Sequence, residues 1–534
     1  MNRWSEKKQK NRIKTQFGKN PMDMENWESL QLRMYEIEMY EQRRRKTFNQ
    51  EWVDDVTWND LEMDRVFARI NHTRTYMGEQ ILYHRLHGCK NRQKLQRMEK
   101  RIAFFSCQES SRIKVEEKLS HIGKQKENYY LPLFLMDEIN WPVTSCIGLY
   151  LQQVLLVICL AGTVLVRSNV WGLGLLVVAT VNLLIYLHAK NKYEGNLFAV
   201  ANMKVALDFC NWMIKSFEGN QLYADEEILQ ALEKTRKLAK QMGRWQARKY
   251  QSVTGDLTGI VQDYLAGVTL YDIVEFCHIE KALRKCRKET LQLYEFVGDV
   301  DTDIAIASFR KSLTNWCSPM IQKSGSIRLE KICHPLMDDG VANSIELRKG
   351  AIFTGANASG KSTFMKAVAI NVILAQTIHT CVAKNVKMPT IKVMTSMALR
   401  DDVVQKESYY MREMKYLKRM LDEIEKGEPV LFVIDEILKG TNTRERLGAS
   451  KAILSYMAQK PGFLLVATHD LELVKAEEDL YETYYFDSQI CGKDIIFPYK
   501  MKQGIVVRTN AIDLMEMMDF PKEITDKARI VSAR

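Results

Sequence analysis

Two stretches of this chain carry no charged residue. Val143–Val166 is the first, and Val170–His188 follows after Arg167, Ser168 and Asn169. Each is long enough to cross a bilayer as a helix. The second is dense in large apolar residues: Leu173, Leu175, Leu176, Val177, Val178, Leu183, Leu184 and Ile185. Trp141, Trp171 and Tyr186 stand near the ends, where amphipathic rings favour the interface, and Lys124, Lys126, Lys190 and Lys192 flank the pair. The pattern predicts a transmembrane helical hairpin over 143–188 with both ends cytoplasmic. Arg167 in the short outer loop runs against that charge bias. Gln152, Gln153 and Asn182 are costly in hydrocarbon and are expected to hydrogen-bond between the two helices. The competing reading is a buried hairpin of a soluble core, although such helices rarely run this long without a charge.

Elsewhere the periodicities are those of a water-soluble protein. Ala351–Thr354, Pro429–Ile434 and Gly462–Ala467 are apolar runs too short for typical helices, and they read as buried parallel strands. Phe364–Ala369 reads as the start of a helix. Ile228, Leu232, Leu238, Met242 and Trp245 keep helical spacing, which leaves the basic residues of 234–249 mostly on an outer face. The predicted organisation is a basic helix-prone arm (1–50), a helical core (51–142), the hairpin (143–188), long returning helices (189–325) and an α/β domain (326–534). No internal repeat or low-complexity tract interrupts it.

The chemistry concentrates at the tips of those strands. Gly355-Ala356-Asn357-Ala358-Ser359-Gly360-Lys361-Ser362-Thr363 fits G-x-x-x-x-G-K-[ST], between a strand and a helix. Glycines let such a loop wrap closely, its N–H groups and the helix dipole face phosphates, Lys361 adds a point charge, and Ser362 offers an oxygen to Mg²⁺. The plain alternative is a chance match in a Gly/Ser turn. The second run ends in Asp435-Glu436 at a strand's C-terminal edge, where open α/β sheets place ligands. Asp435 would hold Mg²⁺ directly or through water, and Glu436 would polarise the attacking water. Two solvated acids after a core strand is the competing reading. The third run ends in Thr468-His469-Asp470, and His469 is expected at a γ-phosphate or its water. Together these features predict an ABC-type ATPase sheet binding ATP and Mg²⁺.

The same residues resemble the MutS family. Thr354-Gly355, Asn357 and Gly360-Lys361-Ser362-Thr363 look like its phosphate loop, with the internal asparagine. His334-Pro335-Leu336 followed by Asn343-Ser344-Ile345 resembles the segment leading into that loop, which implies that Asn343 belongs to the nucleotide-binding set. Ser408-Tyr409-Tyr410-Met411-Arg412-Glu413-Met414 is similar to the family's "S-T-F-M-x-E-M" segment. Asp435-Glu436-Ile437 through Gly440-Thr441 and Thr443 is similar to "D-E-I-G-R-G-T-S-T", and Phe497, Tyr499-Lys500-Met501 and Gly504 to "F-x-Y-K-L-x-x-G". Leu438-Lys439 and Tyr409-Tyr410 depart from the family pattern. Fainter likenesses reach the N-terminal half: Thr75-Tyr76-Met77-Gly78 with Leu82, the helix Leu95–Leu119 with Arg97, Arg101 and Phe105, and Asp299-Val300-Asp301 with Ala305 and Ala307.

The resemblance implies a dimer in which Ser408 reaches the γ-phosphate held by the partner, so that two composite sites form. It also implies DNA binding in mismatch repair or recombination. Two expectations pull away from that role. The hairpin occupies the place where the family's outward levers and DNA clamp would lie, and residues 1–50 hold no Phe-x-Glu wedge. A membrane-bound mechanochemical or scaffold ATPase without mismatch recognition is therefore the second reading. An ABC transporter subunit is disfavoured, because Ser408–Met414 is not an L-S-G-G-Q signature.

Composition adds less. The 534 residues exceed one domain, and 46% hydrophobic content supplies sizeable cores. Eleven cysteines form no C-x-x-C pair, which favours a reducing compartment over a disulfide framework or zinc ribbon. His84, His87 and Cys89 lie close together, but no second group completes a metal site, and no metal cluster is expected. The net charge of +11 gathers at Lys7–Lys14, Arg43–Lys46, Lys234–Lys249 and Arg284–Lys288, patches that suit phosphates of DNA or of anionic lipid.

Overall fold

The computed structural model of the chain describes residues 3–48, 52–88, 92–136, 146–217, 225–252, 264–356, 358–397, 409–438, 443–491, 494–505, 512, 515–516 and 518–532. The N-terminal part is helical: α1 (Arg3–Gln16), α2 (Trp27–Phe48), α3 (Asp55–Asp60), α4 (Met63–Ile70), α5 (Tyr76–His87), α6 (Arg92–Cys107), α7 (Glu109–Ile122) and α8 (Leu131–Met136). Then come α9 (Cys146–Val166), α10 (Asn169–Ser216), α11 (Glu226–Ser252), α12 (Tyr271–Lys285) and α13 (Arg287–Ser312).

Helix α13 is the spine of this part. It is buried on nearly every side from Thr290 to Arg310, and it packs on α5 and α6. The crossing with α5 is close because both helices place a glycine there. A Cβ on Gly298 would lie 2.3 Å from Ile81 Cγ1 and 2.9 Å from the Met77 carbonyl oxygen. Gly298→Ala therefore overpacks the crossing, and we expect thermal unfolding to report a loss of about 1–3 kcal/mol. Asp301 of α13 caps α5 across this contact. Its carboxylate accepts from the Thr75 N–H at 2.8 Å and the Thr75 hydroxyl at 2.7 Å, while Thr75 Oγ1 accepts from the Gly78 N–H at 2.8 Å.

A second buried carboxylate, Glu79, collects cations. It accepts from Arg33, Asn71 and Lys124, each at 2.8 Å, and from the Tyr129 hydroxyl. Burial alone would raise its pKa, but Lys124 and Arg33 outweigh that and hold it down from 4.5 to about 2. A carboxyl with a depressed folded pKa stabilises the fold above its unfolded pKa and loses that contribution as pH falls through the folded one. The slope of unfolding free energy against pH between about 4.5 and 2 should therefore be shallower in Glu79→Gln than in the unaltered chain, by up to one proton.

The apolar pair is α9 and the first half of α10, joined through Arg167 in the left-handed region and Ser168, the N-cap of α10. Gly162 leaves room for the Trp171 ring, which a Cβ would approach to 2.4 Å. Ile147–Val166 and Asn169–Ala189 are each long and apolar enough to cross a membrane, with mean hydropathy 2.2 and only 17% of each window buried. Exposed side chains include Ile147, Leu151, Leu165, Val170, Leu173 and Leu176. Residues 143–145 and Trp141 lie outside the described residues.

Two local expectations need correction. Helix α10 does not stop where the predicted hairpin does, at His188, but continues to Ser216, 48 residues in all; no proline interrupts it, and Gly195 stays within the helix. And the polar side chains of the hairpin do not bond to each other. Gln153 Nε2 donates to the Thr269 carbonyl and Asn182 Nδ2 to the Val268 carbonyl, both at 2.8 Å. Residues 264–269 are a helical turn that ends at Leu270 with φ 53°, and its freed carbonyls need donors at the level of the apolar helices.

The C-terminal part is α/β. Strands β1 (Met320–Gln322), β2 (Ile327–Ile332), β3 (Asn343–Leu347), β4 (Gly350–Gly355), β5 (Asn385–Pro389), β6 (Lys392–Ser396), β7 (Val430–Asp435), β8 (Gly462–Ala467), β9 (Glu482–Phe486), β10 (Gln489–Cys491), β11 (Asp494–Ile496) and β12 (Met501–Gln503) alternate with α14 (Lys361–Thr377), α15 (Tyr409–Ile424), α16 (Thr443–Ala458), α17 (Leu471–Glu477) and α18 (Lys522–Ser532). The larger sheet has the order β12-β9-β4-β8-β7-β6, parallel except for β12. The smaller has the order β1-β5-β2-β3, and β10 pairs with β11. Strand β4 is buried at every position, and β7 and β8 nearly so, as expected of strands covered on both faces. Helix α14 touches β2 of one sheet and β4, β6, β7 and β8 of the other, which is why it is apolar almost all round. The helical part grips this one through α3: Asp60 accepts from the Thr395 hydroxyl at 2.6 Å and the Met397 N–H at 2.9 Å.

Candidate functional site

Three parallel strands end side by side, and the turns after them build the site. Phe353 of β4 pairs with Ala467 of β8, which pairs with Asp435 of β7. The loop after β4, the acids after β7 and the histidine after β8 therefore meet by register alone. They line one cavity of about 580 Å³ together with His334, Met337, Asn343, Phe486 and Tyr499.

The loop from Gly355 to Gly360 is folded through backbone conformations that side chains resist. Gly355 has φ 137°, and a Cβ there would stand 2.4 Å from the Phe486 carbonyl oxygen. Gly360 has φ 103° and lies under the Tyr499 ring, 3.0 Å from a Cβ. Ala358, at φ 61°, takes the left-handed region without being glycine. Helix α14 then starts at Lys361 with no side-chain cap on its first N–H groups. The Lys361 ammonium turns back onto the loop and donates to the carbonyls of Gly355 at 2.7 Å and Ala356 at 2.9 Å. Ser359 Oγ is buried and has no hydrogen-bond partner. An uncapped helix N-terminus, an unpartnered hydroxyl and a lysine in one concave loop suit a multiply charged anion.

Across the cavity, Glu436 sits at φ 62°, its N–H donating to the Ala467 carbonyl at 2.9 Å. That bend turns its side chain toward His469, whose Nε2 lies 3.4 Å from Glu436 Oε1. Asp470 is held apart from the pair: it caps α17 through the N–H groups of Glu472 and Leu473 and meets Arg446 at 3.2 Å. Ser362, Thr363 and Asp435 also line the cavity.

Of the residues singled out in the sequence, Ala358, Ser359, Gly360, Lys361, Ser362, Thr363, Asp435, Glu436, His469 and Asn343 line this one space, with Gly355 and Ala356 at its edge. Asn343 is a wall whose amide is occupied. It donates to the Tyr499 carbonyl at 2.9 Å and accepts from the Met501 N–H at 2.9 Å, tying β3 to the segment before β12. Asn357 and Ser408 lie outside the described residues, as do Lys439–Thr441. His84 and His87 serve the helical core: His84 faces Glu41, and His87 stacks on Trp58 at 3.7 Å with Nδ1 against the Tyr83 carbonyl. Cys89 lies outside the described residues. Among the described residues no group of three or more His, Cys, Asp or Glu side chains is arranged to hold a metal ion.

His334 and Tyr499 are among the cavity residues whose place sequence reasoning did not find. His334 is half-buried, and its loss of solvent, with Lys366 adding to it, lowers its pKa to about 4, so the ring is neutral near pH 7. Its Nδ1 accepts from the Leu336 N–H at 3.3 Å. A neutral ring and the Tyr499 phenol on opposite stretches of chain give the cavity flat apolar faces beside its polar loop. The signal was only their presence in short motifs, since they stand 165 residues apart in the numbering.

Known proteins resemble part of the chain. Residues 351–534 match the profile of MutS domain V. A DNA mismatch repair protein MutS from Aquifex pyrophilus is 25% identical over 293 residues, covering 52% of this chain and 34% of that protein. One from Natronomonas pharaonis is 29% identical over 243 residues, 43% of this chain and 28% of its own length, and one from Staphylococcus haemolyticus is 28% identical over 267 residues, 48% and 29%. The chain thus spans about a third of the length of the curated relatives it matches. Over residues 351–534 the chain is thus similar to MutS domain V, and over about half its length to DNA mismatch repair MutS proteins.

Proposed function

We propose that the chain is a membrane-anchored MutS-family ATPase that binds and hydrolyses ATP as a dimer. The observation that carries this reading is the single cavity that unites residues 358–363 of the loop with Asp435, Glu436 and His469. Its volume falls within the range usual for small-molecule sites, roughly 300–1,000 Å³. The orphaned Ser359 hydroxyl and the bare start of α14 are the groups a triphosphate would satisfy. Lys361 would leave its loop carbonyls for the β- and γ-phosphates, and His334 and Tyr499 would flank the rest of the nucleotide. Ser362 and Asp435 would hold Mg²⁺, which when bound neutralises phosphate charge. Glu436 would orient and polarise the attacking water, with His469 beside it at the γ-phosphate. Ser408 would complete the partner's site. Lys361→Ala is expected to weaken nucleotide binding at least 100-fold, read by equilibrium binding of a fluorescent ATP analogue; unchanged affinity would remove the loop from the site.

By its relatives' names, the output is DNA mismatch repair, extended here to mismatched or branched DNA in repair or recombination. The exposed apolar surface of α9 and α10 supports the anchor and also favours the second reading, a membrane-bound mechanochemical or scaffold ATPase that does not read mismatches. The cytoplasmic side would hold both the N-terminal helices and the α/β domain. The test is whether matched or mismatched duplex changes the ATPase rate, or binds in an ATP-dependent way. A rate and binding indifferent to both duplexes would select the second reading.

A further inference from the structure

Two basic clusters that are distant in the sequence, 234–249 and 284–288, are brought near each other by the packing of α11 on α12. Between these helices is a cleft of about 490 Å³ with Lys234, Lys237 and Gln241 on one wall and His278, Lys281 and Lys285 on the other. No carboxylate is among its lining residues. Lys234 meets Glu289 at 2.8 Å at one end, while Lys237 and Lys285 meet no carboxylate among the described residues. Gln241 Oε1 is buried there without a hydrogen-bond partner. Like charges that converge from two helices, rather than spreading over one solvated face, repel each other unless an anion joins them.

The depth of the cleft narrows the choice of anion. Ile273, Val274 and Cys277 of α12 pack on Leu149 and Tyr186 at the base of the apolar pair, and His278 Nε2 meets the Tyr150 hydroxyl at 2.5 Å. Tyr150 stands one turn inside the apolar run that begins at Ile147. Lys281 and Lys285 follow His278 by one and two turns, about 4 and 10 Å further along the helix. A headgroup layer is roughly 5–7 Å thick on each side of the hydrocarbon. The lysines thus span the level at which lipid phosphates lie.

We propose that this cleft binds the phosphate of an anionic lipid headgroup in the leaflet surrounding the base of α9 and α10, a proposal that rests on the membrane reading above. The lysines hold the phosphate, and the Gln241 amide receives a headgroup hydroxyl. A DNA duplex presents its phosphates on a convex cylinder, which a narrow cleft against the bilayer does not admit.

The test uses the full chain in detergent, with lipid adducts counted by native mass spectrometry against phosphatidylglycerol and phosphatidylcholine. The unaltered chain should retain phosphatidylglycerol at least tenfold better. Lys237→Gln with Lys285→Gln should weaken that binding about 25-fold, roughly fivefold per lysine. The charge-matched pair Arg236→Gln with Lys240→Gln, exposed on α11 outside the cleft, should change it less than twofold. Equal losses in the two pairs, or equal retention of the two lipids, overturns the proposal. Displacement by millimolar inorganic phosphate without lipid preference assigns the cleft to a free anion and overturns the lipid source. Loss of duplex DNA binding with adducts intact overturns it in favour of nucleic acid. Carbonate extraction of the same variants reads the anchor separately: both pairs should stay with the membrane, so a failure of anchoring and a failure of the cleft are distinct results.

Discussion

Glu436→Gln is expected to leave ATP bound and to stop its turnover, with kcat falling at least 100-fold and nucleotide affinity moving less than about threefold. The substitution preserves shape, so the bend at φ 62° and the N–H bond to the Ala467 carbonyl should survive. What it removes is the negative charge that faces the water position beside His469. His469→Ala should be milder, about tenfold, because a group contacting the γ-phosphate assists charge rather than accepting the water's proton. Steady-state hydrolysis paired with equilibrium nucleotide binding separates the two quantities. Unchanged hydrolysis in Glu436→Gln would sink the catalytic assignment, whereas a parallel loss of binding would mean that the turn after β7 had collapsed.

The second large effect concerns the bilayer. Leu155 and Val177 project from α9 and α10 into the surroundings rather than into protein. In water, arginine at either position would be harmless or helpful. In hydrocarbon each costs roughly 2.5–3.5 kcal/mol of insertion. The full chain should therefore remain in the pellet after alkaline carbonate washing and leave it only with detergent. The Leu155→Arg, Val177→Arg double variant should fail to insert and shift to the carbonate-soluble fraction or to degradation. Recovery of the unaltered chain in the carbonate supernatant would refute the anchor.

These expectations rest on features of unequal visibility in the sequence. The strands leading to the site were readable because a strand covered on both faces needs an unbroken apolar run, and Val430–Ile434 and Gly462–Ala467 provide one. The loop was readable because its glycines sit where the backbone adopts positive φ, at Gly355 and Gly360. The apolar pair was readable from hydropathy alone. Other contacts depend on tertiary partners that no local pattern encodes. Asp301 holds Thr75, a helix cap 226 residues earlier. Asn343 lines the cavity, and its amide bonds to the backbone of Tyr499 and Met501, partners that no local pattern names. Gln153 and Asn182 were recognisable as polar residues in an apolar setting, but their acceptors are carbonyls near residue 268, where Leu270 turns left-handed. A polar side chain advertises that it needs a partner without naming it.

Helix α10 carries one more consequence. Its 48 residues span about 72 Å without an interruption, so the half beside α9 and the half that packs on α11 and α13 form one rod. A hydrophobic segment in a thinner or thicker bilayer adjusts by tilting. With the helix continuous between its halves, such a tilt would be passed on to the helices that lead to the Asp60–Thr395 contact and the larger sheet. A tilt of about 5° over this length displaces the far end by about 6 Å. On the membrane reading proposed above, bilayer thickness would become a mechanical input to the chain, and the same rod would let motion of the α/β part press on the lipid in return.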